Sequence, residues 1–331
     1  MPRSEAHRRA LLKGLGALAM APLLATPARA QEDWPRRPLR LIVPQPPGGN
    51  LDLLVRAVAE GLRPVLGQPV VVENRSGGNG VIGLEACAQA APDGYTFCAV
   101  NVEVMTILPF LEPQLFQRFA SLQPVTQLAT SPSVVLASLE APPGDLRAFI
   151  AWARGRKGLN YASSGAGSTA NLLWEWLRRR EGIEIEHVPY RGVAEAIREV
   201  SAGRLQASYV AMAVAMPQIR AGRVRPLAVL GDQRHPDLPE TPSMAELGYD
   251  FPYAGAWWGL CAPPETPAAI GTRLAAAVRQ VVKDEEFHRR VLAPQYFQGV
   301  GGTPEAFASL IARDRRSGEA LLNMTGVTAG N

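Results

Sequence analysis

Two glycine-rich runs, each placed before a helix-forming stretch, hold the residues of this chain best suited to gripping a small molecule. Pro46-Pro47-Gly48-Gly49-Asn50 leads into one apolar helical face, and Ser163-Ser164-Gly165-Ala166-Gly167-Ser168-Thr169 leads into another. A loop of this kind presents backbone N–H groups that no helical carbonyl accepts, together with the positive end of the aligned peptide dipoles. The chemistry on offer is capture of an anion, a carboxylate above all, without lysine or arginine. Asp52, just inside the first helix, reads as a brace for the loop's N–H groups, because a bare carboxylate beside an anionic ligand would repel it.

Other chemistries find less support. Gly78-Asn79-Gly80-Val81-Ile82-Gly83 satisfies the dinucleotide fingerprint, and Gly165-Ala166-Gly167-Ser168-Thr169-Ala170 satisfies its alanine variant, with Glu186 at the offset of a ribose-binding acid. The same pattern arises wherever a strand turns tightly into a helix, so an NAD(P)-dependent oxidoreductase is an alternative reading and no cofactor is assigned. There is no Gly-x-Ser-x-Gly elbow, and past the first thirty residues the histidines are His187, His235 and His288. Neither His-Glu-x-x-His nor paired Cys-x-x-Cys occurs, so no metal site is expected. Trp174, Trp176, Trp257 and Trp258 fit a core better than a pocket lining; on a strand, Trp257 and Trp258 face opposite sides.

The elements that position the loops alternate. Leu39 to Val43 reads as a buried strand, followed by the first loop and a helix whose face is Leu51, Leu54, Val55, Val58, Leu62 and Val65. Strands are expected at Pro69 to Glu73, Tyr95 to Val100, Leu159 to Ser163, Glu184 to Val188, Leu205 to Tyr209 and Pro226 to Leu230, and a helix over Thr169 to Arg180. Thr303-Pro304-Glu305 carries the signature of a helix start. This order predicts α/β architecture with mainly parallel sheets.

A length of 331 residues suggests two domains, and 47% hydrophobic with 19% charged residues describes a folded chain. The net charge of +4 resides in the first thirty residues, which hold five basic side chains and one acidic; the remainder carries 29 of each. That balance removes the electrostatic case for nucleic acid or an anionic membrane surface. Arg8-Arg9 ahead of the apolar run Gly14 to Leu24, with Ala28-Arg29-Ala30 after it, reads as an export signal cleaved after Ala30. The arginine pair suits the twin-arginine route, while His7 and Leu11 depart from its pattern and leave the general route open. Cys87, Cys98 and Cys261 allow one disulfide at most, and the preferred reading is burial as free thiols.

An ordered series of segments resembles the periplasmic substrate-binding proteins of tripartite tricarboxylate transporters, the Bug receptors. It comprises Ile42 to Asp52, Leu66 to Arg75, Ala91 to Thr96, Tyr161 to Ser168, Val188 to Gly192, Pro226 to Val229 and Trp258 to Pro263. The resemblance implies a type II periplasmic-binding-protein fold: two α/β domains joined by a hinge with the ligand cleft between them. Residues 31–131 and 256–331 would form one domain and 132–255 the other, after the 1–30 signal. It implies a periplasmic, non-catalytic, monomeric solute receptor that closes on a small carboxylic acid and delivers it to the membrane components of the transporter. A ligand-sensing adaptor for a membrane signalling receptor is a further alternative. Binding is carried over onto Gly48, Gly49, Asn50, Ser164, Gly165, Ala166, Gly167, Ser168 and Thr169, with Asp52 orienting its loop and Arg191 at the surface. Three positions depart from the family pattern: Gln45 for an aromatic, Asn171 for histidine and Gln206 for an acid. The last favours a plain carboxylic acid over an amino acid, by removing a partner for an ammonium group.

Overall fold

The computed structural model describes residues 34–77, 80–190, 192–253 and 255–329. The expected leader, Gly78, Asn79 and Arg191 lie outside the described residues.

From Pro35 onward the chain forms one compact unit built around two sheets. The first begins with β1 (Leu39–Val43), α1 (Asn50–Leu66), β2 (Val70–Asn74), α2 (Val81–Ala88), β3 (Thr96–Asn101) and α3 (Val102–Thr106). Leu51, Leu54, Val55, Val58 and Leu62 form the buried stripe of α1, and Gly67 ends that helix in a left-handed conformation, its N–H on the Arg63 carbonyl. Gly83 lets α2 lie against the preceding loop, since a Cβ there would come within 2.6 Å of the Arg75 carbonyl. After β4 (Gln123–Ser131) the chain leaves this sheet at Pro132.

The second sheet holds β5 (Ser133–Ser138), then α4 (Leu146–Ala153), β6 (Leu159–Ser163), α5 (Thr169–Glu181), β7 (Ile185–Pro189), α6 (Val193–Ser201), β8 (Ala207–Ala211), α7 (Met212–Arg220) and β9 (Val224–Val229). The chain then returns through β10 (Ala256–Ala262), α8 (Ala268–Val282), β11 (Gln298–Gly299) and α9 (Pro304–Thr325) to complete the first sheet. Thr303 caps α9 by accepting the Ala306 N–H at 3.2 Å. The outgoing and returning segments lie side by side, with Ser131 opposite Ala256.

Strand order is β11-β4-β10-β3-β1-β2 in the first sheet and β7-β6-β8-β5-β9 in the second. The expectation of mainly parallel sheets holds only around β1 and β6. β10 runs antiparallel to β3 and β4, and β5 antiparallel to β8 and β9, because the strands that carry the chain between sheets enter against the local direction. One apolar cluster joins the two halves, from Ile42 and Cys98 through Ile107 and Phe307 to Trp174 and Tyr161. Cys87, Cys98 and Cys261 are buried free thiols within it. Trp257 and Trp258 point to opposite faces, one against Phe307 and the other against Phe297. Among the described residues no helix is long and apolar enough to cross a membrane.

Candidate functional site

In each sheet the chain goes from a central strand to one neighbour and then crosses to the other side. β1 is flanked by β2 and β3, and β6 by β7 and β8, all parallel to it. The crevices open at the carboxyl ends of β1/β3 and β6/β8, where α/β sheets bind ligands. Both glycine loops leave from these points.

The first loop faces solvent at Gly48 and Gly49. Gly48 has φ +86°, a conformation that favours glycine, and its N–H donates to Asp52 Oδ2 at 2.9 Å. Asp52 is only 2% exposed and also accepts from Arg56 Nε at 3.0 Å and Asn74 Nδ2 at 2.8 Å. Burial pushes the Asp52 pKa up, but the Arg56, Gly48 and Asn74 hydrogen bonds outweigh it and leave the group below the usual aspartate value. No side chain caps α1, whose N-cap is Gly49, so the helix's leading N–H groups face outward without a capping acceptor.

The second loop has the same outline and a different interior. Gly167, with φ +72°, donates its N–H to Asn171 Oδ1 at 3.0 Å, and Asn171 Nδ2 donates to the Tyr161 hydroxyl at 2.8 Å. Tyr161 in turn donates to Glu175 Oε1 at 2.9 Å, and burial first, with the Glu175 charge second, raises its pKa. Gly165 N–H goes to Ser163 Oγ at 3.0 Å, Ser168 N–H to the Gly165 carbonyl at 3.2 Å, and Ser168 Oγ accepts the Asn171 N–H at 3.3 Å. The Thr169 N–H and hydroxyl both donate to Glu103 Oε1, at 3.2 and 3.1 Å, from across the gap between the sheets. Gly167 is buried, and a Cβ there would overlap the Leu111 side chain. The reading of Gly167 as an open, solvent-facing donor is therefore corrected: its N–H is engaged and its surroundings are packed.

His187 stacks on Tyr161 with ring centroids 5.1 Å apart, and its Nε2 lies 2.6 Å from Ser163 Oγ. Ser163 Oγ also lies 3.1 Å from the Gly165 carbonyl, so its hydroxyl has two acceptors within reach, that carbonyl and His187 Nε2 when the proton sits on Nδ1. Burial lowers the His187 pKa, with Glu175 acting against it. The Ser–His pair is tied into the second loop, where Ser163 Oγ also accepts the Gly165 N–H at 3.0 Å.

Gln206 occupies a different place from the one its departure suggested. Its Oε1 accepts the Asn160 N–H at 2.8 Å and its Nε2 donates to Glu140, at the opening end of β6 and away from both glycine loops. An acid at this position would not face the crevice, so its absence carries no information about the ligand.

Two site residues escaped the sequence reading. Glu103 is the second residue of α3, just past the apolar strand β3, and Tyr209 interrupts an apolar run; a phenol on a buried strand needs a partner for its hydroxyl, which was the available signal. That hydroxyl is buried, with the Ser133 side chain of β5 as its hydrogen-bonding neighbour.

With this geometry in place, residues 54–326 match the model of the tripartite tricarboxylate transporter family receptor, TctC. The chain belongs to that family. Protein BugT of Bordetella pertussis is 32% identical over 325 residues, covering 96% of this chain and 97% of BugT. A UPF0065 protein from a Pseudomonas strain is 33% identical over 318 residues, covering 95% of this chain and 94% of that protein. Among solved structures, periplasmic binding protein BugD superposes with a TM-score of 0.78 at 27% identity, over 89% of this chain and 99% of BugD. Rhodopseudomonas palustris Rpa4515 with adipate gives 0.81 at 29%, over 89% and 99%, and MatC of the same organism with bound malate gives 0.77 at 28%, over 87% and 100%. The expected resemblance and the two-domain periplasmic-binding-protein fold are borne out, and TctC/Bug chains are solute-binding receptors.

Proposed function

We propose that this TctC/Bug receptor captures a small carboxylic acid in the crevice between its glycine loops by hinge closure and passes it to the membrane components of a tripartite transporter. The observation that carries the reading is the first loop: solvent-facing glycines at the uncapped N-terminus of α1, held open by the Asp52 brace at a switch point. Adipate and malate in two related structures support the ligand class. Gly49 and Asn50 offer main-chain donors to one carboxylate. The second loop, Ser164 to Thr169, closes over the far end, with Ser164 and Ala166 as its contributing backbone.

The hinge is the paired crossing at Ser131-Pro132-Ser133 and Gly255-Ala256. It divides residues 31–131 and 256–331 from 132–255. The mature receptor, cut after Ala30, acts as a periplasmic monomer without catalysis. Charge-assisted hydrogen bonds contribute about 1.5 to 3 kcal/mol each, so a few suffice for the roughly 8 kcal/mol of micromolar binding after ordering costs.

A thermal-shift panel of mono-, di- and tricarboxylates on the mature protein tests the reading, and at least one acid is expected to raise the melting temperature. Gly49 has φ −79°, compatible with proline, so Gly49→Pro deletes one donor without forcing that angle. It is expected to weaken the best acid by about tenfold or more at an unchanged melting temperature of the free protein. A receptor whose radius of gyration stays constant on saturation would exclude closure.

A further inference from the structure

Every donor that the second loop offers an anion is neutral. Among the described residues neither the Ser164 nor the Ala166 N–H has an acceptor, and no lysine or arginine bonds to the loop. The charged side chain that does reach it is Glu103, whose carboxylate accepts the N–H and hydroxyl of Thr169. A ligand carboxylate arriving on Ser164 and Ala166 is therefore a second negative charge around one short loop. Bringing it there is unfavourable unless a positive charge comes with it.

His187 can supply that charge. Its Nε2 lies 2.6 Å from Ser163 Oγ, which accepts the Gly165 N–H at 3.0 Å, so two hydrogen bonds separate the ring from the loop backbone. The ring is half-buried on the edge strand β7, stacked on Tyr161, and its Nδ1 has no hydrogen-bond partner among the described residues. A proton can enter without breaking the loop. With the neutral ring protonated on Nδ1, Ser163 donates to Nε2; with the charged ring, Nε2 donates to Ser163 Oγ and the serine hydroxyl turns to the Gly165 carbonyl, 3.1 Å away. Ser163 keeps the Gly165 N–H in both states. The other charged group facing the ring is Glu175 of α5, already held by the Tyr161 hydroxyl at 2.9 Å and by Arg178 at 2.8 Å. Burial outweighs Glu175 and keeps the ring neutral in the free receptor at neutral pH, which leaves a proton to be gained.

We propose that His187 is the specificity-determining residue of the second loop, taking up a proton as the far carboxylate of a dicarboxylate docks on the Ser164 and Ala166 N–H groups, so that the receptor binds the dianion and a proton together. This rests on carboxylate capture between the two loops. Binding raises the proton affinity of the ring, so affinity for the dianion rises as pH falls through the ligand-bound pKa and levels off below the free one. A monocarboxylate brings no second charge to the loop and draws no proton.

The experiment is calorimetric titration of the mature protein with succinate, glutarate, adipate and hexanoate at pH 6.5, each in MES and in imidazole, whose different ionisation heats count the protons taken up. At least one dicarboxylate is expected to bind with uptake of about half a proton, and about threefold more tightly at pH 6.5 than at pH 8, whereas hexanoate binds more weakly and takes up none. His187→Gln keeps a donor and an acceptor for Ser163 and cannot titrate; its dicarboxylate binding should take up no proton and lose the gain at pH 6.5. Past the leader the histidines are His187, His235 and His288, so an NMR titration of the wild type follows three imidazoles. The His187 pKa alone should rise on saturation with the dicarboxylate, a reading that needs no variant to fold.

Dicarboxylate binding without proton uptake, uptake that persists in His187→Gln, or an unmoved His187 imidazole overturns the proposal and leaves carboxylate capture standing. If no acid of the series binds, both readings fall.

Discussion

The two glycine loops share a plan and differ in what they leave open. In each, a left-handed glycine donates its N–H to a side chain four residues on, Gly48 to Asp52 and Gly167 to Asn171, at the third position of the following helix. The first loop stops there and keeps its helix end uncapped. The second adds a serine cap, a serine–histidine pair and a carboxylate from α3, the helix that follows β3. A glycine run before a helix is thus only a shape; whether it binds an anion depends on which nearby groups have already taken its donors.

The largest expected effect lies at the first brace. Asp52→Ala removes the acceptor shared by Gly48, Arg56 and Asn74, costing about 1 to 3 kcal/mol in urea unfolding and removing acid binding. The native Asp52 pKa is below its unfolded value, so its stabilisation is full above the usual aspartate value of 3.8 and is lost as pH falls through the lower native one. A wild-type stability profile that matches the variant's below pH 7 down to acid unfolding would contradict the brace.

Next in size is the packed glycine against the open one. Gly167→Ala meets both a left-handed angle and the Leu111 side chain, whereas nothing lies within 4 Å of a Cβ at Gly48. Gly167→Ala is expected to cost about 2 to 3 kcal/mol, and Gly48→Ala only the backbone penalty of about 1 to 2 kcal/mol. Leu111→Ala should recover part of the first loss and none of the second, a result that a double-mutant cycle reads directly.

The smallest effect is at His187, whose native pKa is lowered by burial. Its stabilisation is present at neutral pH and is lost as pH falls below the usual histidine value of 6.5, because the unfolded chain takes up the proton first. His187→Gln should flatten the stability profile between pH 7 and 5 while leaving the first loop's affinity unchanged. An unaltered slope would show that the histidine carries no part of it.

Much of this was legible in local pattern. The strands at 39–43 and 159–163, the buried stripe of α1, the cap at Thr303 and both loops followed from spacing and turn chemistry within short windows. What eluded the pattern came from partners far apart in the chain. Glu103 reaches Thr169 over 66 residues, and β10 inserts between β3 and β4 from more than a hundred residues away, turning the first sheet mixed. Gln206 misled for the related reason that a position near a strand does not reveal which end of the sheet it occupies.

The insertion of β10 also sets an order of events during synthesis. The second sheet is complete once Val229 has been made, and all its strands lie within one continuous stretch. The first waits for Ala262 to join its halves and for Gly299 to finish its edge, because β3 and β4 touch only through β10. At about 5 to 20 residues per second, the interval between Val229 and Ala262 lasts roughly 2 to 7 seconds. Throughout it the nascent chain carries two apolar strands with bare edges, the condition under which unfinished sheets pair with their neighbours. Chains cut short before Ala256 should accordingly collect as aggregates built on β3 and β4.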